Sequence, residues 1–382
     1  MRRGLAVSLL LPLLAACTVG PDYVRPPVDT PPSWRVSEQD ARDLANSAWW
    51  EQFNDPVLND LIRTALDGNK DLLIASARIE EYQARHGSAQ SALFPQVALG
   101  AGANQQNTQT GNALKGRYDT YDTSLSASWE IDFWGKIRRQ SEAARAQLLA
   151  SEEGKQGVIL SLVANVATAY VNLRDLDRQL EIAQSTLKTR EESYAVFQER
   201  YAGGVISVLE LSQNKSQYDE AQANIPSIEK SIAQQENALS LLLGRNPGPI
   251  ARGNPIAELL LPAIPEGLPS ALLERRPDIR EAEQTLIAAN AQIGVAKAAY
   301  FPSISLTGLF GVASGNLSNL FETSSKIWQY GTTASVPIFT AGKIGDQVQV
   351  AEAQQQQALL SYQKTVQNAF REVNDALVDQ EK

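Results

Sequence analysis

Apolar and polar positions along this chain follow two periods, one helical and one of two residues. Leu58, Leu61, Ile62, Ala65 and Leu66 fall at helical spacing and predict one helix over roughly Asp55 to Leu93. Phe94-Pro95 ends it, because the residue before a proline is driven out of the helical region. The period then becomes two. Val97, Leu99, Ala101 and Ala103 alternate with small or polar residues. On the return, Tyr121, Thr123, Leu125, Ala127, Trp129 and Ile131 share one face, and Asp122, Ser124, Ser126, Ser128, Glu130 and Asp132 the other. This predicts a β-hairpin over 96–132. From about Arg138 to Tyr201 there is no proline, and Leu173, Leu176, Leu180, Ala183, Leu187, Tyr194, Phe197 and Tyr201 make a heptad seam. Roughly 64 residues of helix would run about 95 Å. Gly203-Gly204 breaks this rod, and Val208 to Leu242 carry a returning helix that Pro226 is expected to kink or restart.

The whole pattern recurs at a constant offset. Phe94-Pro95 returns as Phe301-Pro302, and Gly135-Lys136-Ile137 as Gly342-Lys343-Ile344, each 207 positions later. One supersecondary unit is therefore used twice. The second copy predicts a helix from Leu268 to about Tyr300 and a hairpin over 303–338. Strands of about ten residues with one apolar and one polar face fit an outer-membrane barrel. Alternation alone also fits a soluble sandwich with one wet face. Trp129 and Trp328, read as matching ends of their return strands, suit an interfacial aromatic belt. Two hairpins give four strands, too few to close around a lumen, and open edges in lipid leave backbone groups unsatisfied. Three copies would supply twelve strands and a water-filled pore, whereas two would supply eight with a nearly filled interior.

The N-terminus sets the compartment. Arg2 and Arg3 precede a short apolar stretch, Leu5 to Ala16, about a dozen residues long and too short to span a membrane. It ends in Leu14-Ala15-Ala16-Cys17, which resembles a bacterial lipobox. Residues 1–16 then read as a signal peptide and Cys17 as the lipid-attachment site. Thr18 rather than Asp follows it, so the usual inner-membrane retention signal is missing. No later apolar run is long enough to predict a membrane-crossing helix.

Composition narrows the chemistry. Lys and Arg number 34 against 43 Asp and Glu, a net charge of −9 that argues against nucleic acid as a partner. One Cys and one His exclude a disulfide framework and any thiolate-rich or His-rich metal centre. No metal and no cofactor are expected. His86 has no nucleophile or ligand at a motif spacing, and Glu130 and Asp132 read as a solvated face rather than an acid–base pair. No phosphate-binding loop is present. The chain is not expected to be an enzyme.

Several ordered strings carry a family resemblance. Cys17-Thr18-Val19-Gly20-Pro21-Asp22-Tyr23 with Arg25-Pro26, Trp49-Trp50-Glu51-Gln52-Phe53-Asn54-Asp55-Pro56, Leu243-Gly244, Gly267-Leu268-Pro269-Ser270 and Arg276-Pro277-Asp278-Ile279-Arg280 resemble the TolC-like outer-membrane factors, specifically the NodT-type efflux lipoproteins. The resemblance implies an α+β membrane protein. It would form a homotrimer with a twelve-stranded barrel and a periplasmic α-barrel of long coiled-coil hairpins. It implies a lipidated N-terminal and equatorial segment (17–54), a first repeat (55–247) with a helical hairpin over 136–243, a connector (248–267) and a second repeat (268–382). The implied work is passive. Such a duct, anchored to outer-membrane lipid and reaching into the periplasm, lets an inner-membrane RND pump expel small molecules through a periplasmic adaptor, a membrane fusion protein. Gly203, Gly204, Val205, Ile206 and Ser207 would form one adaptor-docking tip. A lipid-anchored coiled-coil adaptor or structural lipoprotein would share Cys17 and the helical hairpin, but not two β-hairpins between long helices. At offset 207, Lys382 corresponds to Asp175, so the second repeat as written stops early in its rod. The expectation is a C-terminally truncated member that cannot close a gated α-barrel as written, and no gating residues are assigned.

Overall fold

The computed structural model of the chain describes residues 18–28, 48–108, 116–260 and 272–382. The signal stretch 1–16, Cys17 and part of the connector lie outside the described residues. In chain order the elements are α1 (Pro56–Gly68), α2 (Lys70–Ser91), β1 (Gln96–Thr108), β2 (Gly116–Ile131), α3 (Lys136–Ala202), α4 (Val208–Leu242), α5 (Pro277–Ala298), β3 (Ser303–Ser314), β4 (Lys326–Ser335) and α6 (Lys343–Glu381). A single helical turn, Leu272–Arg275, precedes α5. Packing divides the described residues into a sheet unit (18–28, 78–153 and 273–380) and a rod unit (chiefly 48–77 and 154–260).

In the rod unit, α1 starts where the sequence equips it to start. Asp55 is extended, and its side chain accepts hydrogen bonds from the amides of Val57 and Leu58, with Pro56 at the first helical position. Leu58 and Ile62 of α1 then bury against Val166, Tyr170 and Leu173 of α3 and Leu239 of α4. The single helix expected over 55–93 is two. Asn69 is extended, ends α1, and caps α2 by accepting from the Leu72 amide at 3.1 Å. Its amide group also donates to the Leu242 carbonyl at 2.9 Å, so the break fastens the α1–α2 corner to the end of α4.

Two other expectations change in the rods. α4 runs unbroken through Pro226. The proline removes one backbone bond without restarting the helix, and contacts to α3 lie on both sides of it. Tyr194 stacks on Tyr218 with ring centroids 5.8 Å apart, and Gln235 donates to the Ala169 carbonyl at 2.8 Å. α3 also contains an 18-residue stretch of mean hydropathy 1.4, long and apolar enough to cross a membrane by composition. Leu162, Val163, Val166 and Ala167 of α3 lie in the rod-unit core, and a third of the apolar stretch is buried.

The sheet unit carries one antiparallel sheet in the order β1-β2-β3-β4. β4 ends at Ser335 rather than continuing to 338. Pro337 lacks the donor that further pairing requires. α5 begins at Pro277 after an extended Arg276. Ion pairs from Arg276 to Glu372 (2.8 Å) and from Lys297 to Glu352 (3.0 Å) tie α5 to α6, and Arg280 to Glu153 (2.6 Å) ties it to α3.

Candidate channel elements

The strand register settles which side chains share a face. Leu99 lies opposite Leu125, Leu125 opposite Phe310, and Phe310 opposite Trp328, so these four form one row across all four strands. All four are exposed. The row below holds Val97, Ala127, Gly308 and Tyr330, and the next Trp129, Leu306 and Thr332. The opposite face carries Asp122, Ser124, Ser126, Ser128 and Glu130 with Ser305, Thr307, Gln329 and Thr333. From Tyr121 to Ile131 the apolar face covers ten residue steps, about 33 Å of strand and about 23 Å of height at a 45° tilt, close to the apolar band of an outer-membrane barrel. β1 and β4 are paired on one side only among the described residues.

The two tryptophans do not sit at matching ends. Trp129 lies near the close of β2, opposite Leu306, and its indole N–H donates to the Leu93 carbonyl at 2.9 Å. Trp328 lies near the start of β4, opposite Phe310. At offset 207 the counterpart of Trp129 is Val336, and that of Trp328 is Tyr121. Trp328 also stacks on Tyr330, with centroids 5.7 Å apart.

Where the strands meet the helices, the carboxylates are structural. Asp132 accepts from the amides of Ile137 and Arg138 at the start of α3 and pairs with the Arg138 side chain at 3.1 Å. Glu130 pairs with Lys136 at 3.3 Å. These partners cover Asp132, in place of the solvated face expected for it, while Glu130 keeps the partly solvated position expected. Trp134 stacks on Phe301 (centroids 4.7 Å apart) and donates its indole N–H to the Pro302 carbonyl at 2.8 Å. It thereby joins the base of the first hairpin to the start of the second. His86 is half-buried on α2.

The residues after the expected lipid site form a strap on the sheet unit, which sequence pattern did not reveal. The Val19 amide donates to the Trp134 carbonyl, and Asn290 of α5 donates to the Pro21 carbonyl, both at 3.0 Å. Asp22 pairs with the buried Arg139 at 2.6 Å. Tyr23 and Arg25 both converge on Glu283 of α5, which is 8% exposed. Hydrogen bonding from the Arg25 guanidinium, reinforced by Tyr23, outweighs burial and holds the Glu283 carboxyl below its ordinary value. Burial and Glu283 together push the Tyr23 hydroxyl up.

The expected tip is a tightly capped reversal between α3 and α4. Gly204 has a φ of +72°, and the Val205 amide donates back to the Arg200 carbonyl at 2.9 Å. Ser207 and Glu210 exchange capping-box bonds at the start of α4. These bonds from Ser207 hold the Glu210 carboxyl below its ordinary value. Val205 is exposed and Ile206 half-buried. Val208 and Leu209 add exposed apolar surface. The sequence pattern places Val208 at the start of the returning helix.

A buried hub closes the rod unit. Asp55 accepts from the Tyr170 hydroxyl at 2.8 Å and the Asn254 amide at 3.0 Å, and the Tyr170 oxygen accepts from the Gly253 amide at 2.9 Å. Burial and Asp55 push the Tyr170 hydroxyl up to about 12. Arg252, one residue before this knot, pairs with Asp177 of α3 (2.9 Å) and Glu236 of α4 (2.6 Å).

A model of the outer membrane efflux protein family matches residues 61–245 and 268–381. The chain belongs to this family. It is 38% identical over 371 residues to the cation efflux system protein CusC of Escherichia coli O6:H1, across 95% of this chain and 80% of that protein. It is 36% identical over 378 residues to the probable outer membrane lipoprotein SilC of Salmonella typhimurium, across 98% of this chain and 82% of that one. The open-state MtrE outer membrane channel of Neisseria gonorrhoeae superposes with a TM-score of 0.85 at 34% identity, over 96% of this chain and 82% of that one. This outer membrane efflux protein is thus the outer-membrane channel component of an efflux system, and the relatives named are channel components rather than enzymes. Its alternating strands are the membrane-spanning part.

Proposed function

We propose that this protein works as a homotrimeric, lipid-anchored duct. An inner-membrane RND pump would drive small molecules through it by way of a periplasmic adaptor. The observation that carries this reading is the four-stranded sheet itself, with one continuous apolar face and, among the described residues, an outer edge free on β1 and on β4. Lipid cannot satisfy those edges, so other copies must. Three copies give twelve strands, an even number with room for a lumen. Cys17 would carry the acyl chains, one residue before Thr18, which packs on Gly135 at the base of β2. The probable lipoprotein SilC is a relative that supports this anchor. Trp129 and Trp328 would face the membrane at two different levels rather than one belt. Gly203, Gly204, Val205, Ile206 and Ser207, with Val208 and Leu209 beside them, would meet the adaptor.

The test is the full chain extracted from outer membranes in mild detergent. A heat-modifiable trimer that conducts ions in planar bilayers is the expected result. A monomer that leaves the membrane once the lipid is removed would overturn the reading.

A further inference from the structure

Two hairpins related by the repeat offset should pair their strands in registers related by the same offset, and they do. Gln96 lies opposite Ser128 in β1–β2, so paired numbers add to 224. Ser303 lies opposite Ser335 in β3–β4, so they add to 638. The difference is 414, twice 207. The sequence repeat is therefore a structural repeat to the single residue. At the junction between the repeats, Tyr121 of β2 lies opposite Ser314 of β3, and paired numbers add to 435.

The repeat operation carries β2 onto β4 and β3 back onto β1. Its number sum does not change, because one partner gains 207 and the other loses it. We infer that β4 of one copy pairs antiparallel with β1 of the next in the register whose residue numbers add to 435, from Ser335 opposite Gly100 to Ile327 opposite Thr108. The inference rests on the closure by identical copies proposed above and specifies how the edges meet.

Two independent features favour this register. The first is side-chain chemistry. It sets Ala334 beside Ala101 and Thr332 beside Ala103 on the apolar face, and Gln329 beside Gln106 on the polar face. A slip by one residue would place the apolar face of one copy against the polar face of the other. The second lies at the base. Within one chain, Trp134 at the end of hairpin one covers Phe301-Pro302 at the start of hairpin two. The offset equivalents are the end of hairpin two and Phe94-Pro95 of the next copy. There, Ile338 is 95% exposed, Phe339 87% and Phe94 65%. Apolar groups are bare on both sides of the one junction that a single chain cannot complete. Ala341, the counterpart of Trp134, is too small to cover Phe94, and Ile338 and Phe339 supply that area.

Cysteine pairs test the register directly in the full chain, within outer-membrane vesicles. Opposed residues in antiparallel strands lie about 4.5–5.5 Å apart between Cα atoms, inside disulfide range. A two-residue slip adds about 7 Å along the strand and puts the pair beyond reach. The double variant Ala101→Cys/Ala334→Cys is expected to give disulfide-linked dimers and trimers on oxidation, and neither single variant should, with Cys17 present in all. Ala103→Cys/Ala334→Cys and Leu99→Cys/Ala334→Cys should stay unlinked. Linkage in a slipped pair but not in the first overturns the register and leaves the copies in place. Chemically crosslinked trimers with no disulfide in any pair overturn the β4–β1 junction. A monomer under both treatments overturns the trimeric duct as well. Heat-modifiability of each variant before oxidation establishes that it has folded.

Discussion

Gly20 lies so close against Gly294 that a Cβ on Gly20 would collide with the backbone of α5. The approach has a second lock. A Cβ on Gly294 would stand 2.8 Å from the Val19 carbonyl oxygen and 2.9 Å from the Arg139 side chain. Both positions therefore serve the strap that follows the lipid site.

Replacing Gly294 by valine should lift that strap from α5 at a cost of about 1–3 kcal/mol, typical of overpacking a tight contact. Limited proteolysis near residues 18–28 should become faster, while the β-sheet stays protected. Unchanged cleavage would mean that the strap is held elsewhere.

The Glu283 knot should make the strap pH-sensitive. The folded carboxyl titrates below its ordinary value of 4.5. Its contribution is therefore complete above pH 4.5 and disappears as pH falls through the lower, folded value. With Arg25 half-exposed, the pair is worth about 1–2 kcal/mol after allowance for solvent screening. Glu283→Gln should show at neutral pH the faster strap cleavage that the natural protein shows only in acid, and should flatten that acid dependence.

The Asp55 hub predicts unequal costs at its two ends. Tyr170→Phe removes one hydroxyl and leaves the Gly253 amide without its acceptor, which costs about 1–3 kcal/mol. Asp55→Ala strands the Tyr170 hydroxyl, the Asn254 amide and the first amides of α1 together, and should cost about 3–5 kcal/mol. Thermal unfolding in detergent should rank them in that order.

Phe310 stands in the middle of the apolar row, so Phe310→Arg should cost about 2–4 kcal/mol in the membrane and reduce the yield of inserted protein. Ser126→Arg, on the opposite face of the same sheet, should insert normally. Equal losses for both would contradict the assignment of faces.

Periodicity and the repeat made the strands, their faces and the long rods legible, because each is a local pattern reinforced over many residues. What escaped were features fixed by single residues meeting across long separations. Asn69 breaks a helix because its side chain reaches Leu242, 173 positions away. Tyr23 and Arg25 find Glu283 about 260 positions away, and nothing in their own spacing announces it. At Pro226 local propensity signals a kink or a restart, and the helix carries through without the restart, with contacts to α3 on both sides. The tryptophans were misplaced because alternation gives the face of a residue but not its height. Height required the register.

That register also carries a slip. Straight across the sheet, Leu99 leads through Leu125 to Phe310, whereas its repeat equivalent is Leu306. Each repeat climbs four residues, so six repeats closed in a ring would accumulate a shear of about 24 residues. Such a ring is wound like a steep screw thread, and the bore of the duct follows from the number of strands and their pitch. Substitutions along the polar face would then leave the backbone radius of the ring unchanged and act only through the size and charge of the side chains they add.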